Sequence, residues 1–135
     1  MNVIYSYQKF IDAQRTVEIR FPEDENHQRI GEEIATINGT TYVCIPSDAI
    51  LPTQPVEINV VAVDVTPELK NELRAASPKV RWINDQVRQK IESVYSVSDE
   101  IKLIRTAPSA EFEAYNEFAE NCRAWGRAEK AKIGL

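Results

Sequence analysis

The sequence has one histidine, two cysteines and four glycines among 135 residues, and each scarcity removes a class of chemistry. The lone histidine, His27, has no second imidazole with which to share a metal ion, and it stands in a polar loop beside Glu23, Asp24 and Glu25. That acidic run lacks the alternating ligand spacing and the glycine of a calcium loop, so it reads as solvated surface and as a candidate partner-facing patch. Cys44 and Cys122 form no Cys-x-x-Cys pair and lie near no histidine in sequence, which leaves buried free thiols in a reducing compartment as the fitting role. A nucleophilic Cys44 would need a base nearby. Between Val43 and Ile45 it reads as core instead. With so little glycine there is no Gly-x-Gly-x-x-Gly or Walker loop, and no serine occupies a nucleophile elbow. The expectation is a protein without catalytic residues, cofactor or metal.

Basic side chains are also in deficit, with 16 Lys and Arg against 21 Asp and Glu and a formal charge of −5. A general nucleic-acid binder needs a basic face to displace counterions, so that class is set aside. The deficit is local: residues 1–66 hold 4 basic and 10 acidic side chains, whereas residues 67–135 hold 12 and 11. No stretch approaches the ~20 apolar residues of a membrane span. The first ten residues lack a basic segment followed by an apolar run, so no signal peptide is expected and the chain should stay in the cytoplasm where it is made. Asn38-Gly39-Thr40 matches a glycosylation acceptor but in that setting marks only a turn.

What is present is pattern. Residues 1–65 read as strands and turns. Thr16 to Phe21 alternates apolar and polar residues, the period of a half-buried strand. Ile30 to Ile37 and Thr41 to Ile45 flank Asn38-Gly39, the strongest short hairpin signal. Pro46 to Pro55 carries three prolines and reads as an extended, stiff connector, and the β-branched run Val56 to Val65 suits a further strand.

At Thr66 the period changes. Thr66-Pro67 and Ser77-Pro78 each open a helix, because the hydroxyl caps free amides and proline fits the first turn. The second of these helices, to about Val94, bears one stripe of Val80, Ile83, Val87, Ile91 and Val94. Ser98 is expected to cap a third, short helix through Ile101 and Ile104, which Ala107-Pro108 ends. Ser109 caps the last helix, to about Lys132, with Phe112, Tyr115, Phe118, Cys122 and Trp125 on its buried face. Glutamates fill its first half and Arg123, Arg127, Lys130 and Lys132 its second, as the helix macrodipole favours. Trp125 lies on the stripe and is expected in the core; Trp82 lies off it among Arg81, Asn84 and Asp85 and is a candidate interface residue.

The expected fold class is α+β: a small antiparallel β module over residues 1–65, containing the connector 46–55, followed by an α-helical hairpin over residues 66–135. Ile83, Val87, Ile91, Phe112, Tyr115, Phe118, Cys122 and Trp125 should form the hairpin's core. Two small lobes would each have a thin core, so self-association into a homo-oligomer or contact with a partner should add stability.

One resemblance goes further. A helix that ends in Tyr95-Ser96, the short segment Asp99-Glu100-x-x-Leu103-x-Arg105, and a long helix running from Glu111-Phe112 through Cys122-Arg123-Ala124-Trp125-Gly126-Arg127 resemble small tail proteins of tailed bacteriophages. The likeness covers roughly residues 46–135 and extends to tail-fibre assembly proteins. It implies a non-enzymatic role through contacts with phage tail or tail-fibre proteins. The chain would act as an assembly chaperone in the host cytoplasm or as a component of the virion tail. The rival expectations are a regulatory or inhibitor module that binds a host protein through the acidic N-terminal half, and a hydrolase built on His27 and its carboxylate neighbours.

Overall fold

The computed structural model describes residues 2–135. Four strands, β1 (Asn2–Tyr7), β2 (Glu32–Ile37), β3 (Thr40–Pro46) and β4 (Val61–Val63), form one antiparallel sheet in the order β2-β3-β1-β4. Four helices follow, α1 (Pro67–Ala76), α2 (Pro78–Glu92), α3 (Val97–Arg105) and α4 (Ala110–Ala131). The fold is α+β. The chain divides into two compact units: a β unit up to Lys79 that also takes Ala131–Leu135, and a helical unit, Val80–Lys130.

The β2–β3 hairpin turns where the sequence places it. Asn38 (φ 50°) and Gly39 (φ 82°) both adopt the left-handed conformation that a two-residue turn between right-twisted strands needs. The strand period then sorts side chains onto two faces. Ile4, Cys44 and Val63 are in register on one, and Tyr5, Val43 and Ala62 on the other.

Irregular chain covers the second face. Ile19, Tyr7, Val43 and Ile45 form a buried cluster with Phe21, Ala49, Leu51, Ile58 and Val60 packed against it. This corrects two expectations. Thr16 to Phe21 is not a strand of the sheet; only Thr16 makes an isolated bridge, to Phe10. The amide of Gln54 stands in for a neighbouring strand, accepting from the Arg20 N–H (2.7 Å) and donating to the Arg20 carbonyl (2.8 Å). The same contacts tie the proline-rich segment 46–55 to the β unit, so it is not a spacer between lobes. Val56 to Val65 contributes only Val61–Val63 to the sheet, since the chain turns at Pro55, whose carbonyl accepts from the Ile58 N–H (3.3 Å).

The first face takes the end of the chain. Asn2 Nδ2 donates to the Lys132 carbonyl (3.0 Å). A Cβ added at Gly134 would stand 3.3 Å from Ile4 Cδ1 and 3.7 Å from Cys44 Sγ. Arg74 Nη2 holds the Leu135 carbonyl oxygen at 2.6 Å. Helix α1 packs on β2, and its Leu73 is fully buried. The boundary between units therefore falls after Lys79, not at Thr66, because α1 is amphipathic toward the sheet. Thr66 caps it as expected, accepting from the Leu69 N–H (3.2 Å).

In the helical unit α2 and α4 run antiparallel. Ile91, Tyr115, Ala119 and Cys122 are buried, with Val87, Tyr95, Leu103, Phe112 and Phe118 packed against them. Tyr95 meets Tyr115 edge-on, ring centroids 5.0 Å apart at 74°. Gly126 is the close-approach point of the pair, since a Cβ there would fall 2.6 Å from Val87 Cγ2. Three sequence assignments change here. Val94 lies beyond the end of α2 and is 58% exposed. Trp125 is half-buried rather than core, with the Lys90 ammonium 3.2 Å from its ring centroid. Ser96, not Ser98, caps α3, through a reciprocal pair: Asp99 N–H to Ser96 Oγ (3.1 Å) and Ser96 N–H to the Asp99 carboxylate (3.0 Å). Two donors are satisfied from Ser96, which is why the helix starts there. Ser109 does cap α4, accepting from the Phe112 N–H at 3.0 Å.

Candidate interaction surfaces

The acidic loop of the β unit is built around Asp24. Its carboxylate accepts from the backbone N–H groups of Asn26 (2.8 Å) and Gln28 (3.0 Å), and its backbone pairs with Gln28 and His27. Asp24 is thus committed to shaping its own turn. His27 sits at φ 59° with its side chain 89% exposed and its Nδ1 3.5 Å from a Glu23 oxygen. An open imidazole beside one carboxylate has no wall to exclude water and no third group to orient it. Glu25 is exposed.

Of the three loop acids Glu23 reaches a concave feature. An open groove of about 640 Å³ is floored by Phe21, Pro22, Ile30 and Ala49, with Arg20, Glu23 and Asp48 as its charged groups and Ile50 at its lip. Ile50 is 87% exposed. The Arg29 guanidinium lies over the Phe21 ring at 4.6 Å, which props one wall. Sequence reading located the acids but missed Phe21, Ile50 and Asp48. They come together through the loop packing, which leaves no period in the sequence.

The second surface is at the tip of the helical unit. Val97, Ile101 and Ile104 recur at i, i+4 and i+7 on α3 and are 58%, 47% and 61% exposed; Val94 precedes them. A signal for this was available. Leu103 packs against the hairpin core, so α3 carries apolar residues on two sides, and a single helix cannot bury both against one partner helix. Trp82, the interface candidate, is on α2 away from this tip in sequence and is 49% exposed.

The remaining reactive groups are muted. Burial, with the Glu32 charge adding to it, pushes the Cys44 thiol up to about 11, so it stays protonated at neutral pH and is a poor nucleophile. Cys122 is buried and free. Among the described residues no three His, Cys, Asp or Glu side chains are gathered to hold a metal ion and no helix is long and apolar enough to cross a membrane. No family model, curated protein or solved structure matches this chain.

Proposed function

We propose that this chain is a non-enzymatic bacteriophage tail protein that works by protein–protein contacts in tail or tail-fibre assembly. The observation that carries the reading is the groove over Phe21 and Ile50, apolar in its floor and edged by charges of both signs, Arg20 beside Glu23 and Asp48. An exposed isoleucine beside an aromatic floor suits a protein partner better than a small polar substrate. The occupant is a tail or fibre segment that presents an apolar side chain to the floor of the groove. The resemblance of residues 46–135 to small tail proteins supplies the biological setting. The same groove fits the second reading, an inhibitor that seizes a host protein through its acidic half.

Two measurements separate these. Mass spectrometry of purified virions identifies a resident component by a stoichiometric signal; loss of fibres from particles made without this protein, combined with no signal in the virion, identifies a chaperone. Particles that assemble normally without it overturn the tail reading in favour of the inhibitor. Ile50→Lys should abolish the assembly phenotype's rescue while leaving the fold intact, because the side chain is exposed.

A further inference from the structure

The exposed stripe on α3 is one half of a pair. At 100° per residue Val97, Ile101 and Ile104 fall within roughly 60° of one another, while Asp99, Lys102 and Leu103 lie on the other side of the helix. That other side lines an open groove of about 490 Å³, walled by Val94, Tyr95, Leu103 and Ala114, with Asp99, Lys102 and Glu111 as its polar groups. The helical unit therefore presents an aliphatic ridge on one side of α3 and an apolar groove on the opposite side.

We infer that the ridge of one copy docks into the groove of the next, so that the protein associates with itself head to tail through α3. Charge favours a second copy as the occupant. The ridge has Arg105 along one edge and Glu100 along the other; the groove offers Glu111 to the first and Lys102 to the second, while the Asp99 carboxylate is held by the Ser96 N–H. Each edge of the ridge thus has an opposite charge to meet. Because ridge and groove point in opposite directions, the contact is heterologous and does not close on a two-fold axis. It propagates into a ring or an open chain, with β units repeated along it.

The test uses the full chain. Sedimentation velocity of the wild type should show species growing beyond the 15.4 kDa monomer with concentration. Ile101→Glu removes the ridge and Ala114→Trp fills the groove; each alone should weaken self-association by roughly 10- to 100-fold. Mixed together they should form a stoppered 1:1 heterodimer, because the first keeps its groove and the second its ridge. Circular dichroism checks the fold of each, and Glu111→Arg replaces Ala114→Trp if the tryptophan disturbs α4. A wild type that stays monomeric up to ~1 mM, an oligomer that Ile101→Glu leaves intact, or two monomeric variants that fail to pair on mixing would each overturn the inference.

Discussion

The β unit and the helical unit expose apolar side chains in different ways. In the β unit Phe10, Ile11, Ile50, Val56, Val61 and Val65 are dispersed over loops and an edge strand. In the helical unit three of the five exposed large apolar residues, Val97, Ile101 and Ile104, share one face of α3. Scattered single residues are ordinary on any surface, whereas a contiguous patch marks a contact. The interiors differ too. Ile34, Val43 and Ile45 of the sheet are completely enclosed, while half-buried aromatics, Phe112 and Phe118 among them, edge the helical core. The helical unit encloses Ile83 and Ala119 just as fully, so the difference lies in the large aromatic side chains left at its edge.

Three substitutions sharpen or break that contrast. The largest effect is expected from Ile45→Ala, which opens a cavity in an enclosed layer and should cost about 2–5 kcal/mol in urea unfolding. A cost no greater than that of Phe118→Ala would mean the two cores are equally tight. Gly126→Ala comes next. Overpacking against the stiff Val87 costs ~1–3 kcal/mol, and the better helix propensity of alanine returns ~1, leaving a net loss of about 1 kcal/mol. Both tryptophans, Trp82 and Trp125, belong to the helical unit, so their fluorescence reports it directly. The penalty should vanish in a Val87→Ala background, and its persistence there would show that the two helices do not touch at this point.

Smallest is the start of α3. Ser96→Ala should cost about 1 kcal/mol and Ser98→Ala under ~0.5. The same box responds to acid. The Ser96 backbone N–H, and then its hydroxyl, hold the Asp99 carboxyl below its usual 3.8. A depressed folded value means that the contribution is complete above pH ~4 and is lost as pH falls through the folded value. Protection factors of the amides along α3, corrected for the intrinsic exchange rate at each pH, should therefore fall below pH ~4. Equal protection at pH 5 and pH 2 would remove the capping box from the account.

The sequence made the hairpin and the α2–α4 stripe legible because each is a local period: Asn38-Gly39 can turn only one way, and Ile83, Ile91, Tyr115 and Cys122 repeat at helical spacing. It concealed whatever depends on distant chain. Thr16 to Phe21 alternates like a strand, yet Gln54 takes the place of the neighbour. Trp125 sits on the apolar stripe, yet Lys90 covers its ring. The groove at Phe21 and Ile50 joins residues nearly thirty apart, and Trp82, half exposed on α2, belongs to neither surface described above.

The return of residues 131–135 to the sheet sets an order on synthesis. Everything from Asn2 to Lys79 has been made before the segment that lies against Ile4 and Cys44 exists. The intervening 80–130 takes about 3–10 s to translate at typical rates. During that interval the part of the first face around Ile4 and Cys44 lacks the cover of residues 131–135, and any chain that stops within 80–130 keeps it so. Incomplete products are thereby left with an apolar patch at Ile4 and Cys44 open to chaperones and proteases until residues 131–135 cover it.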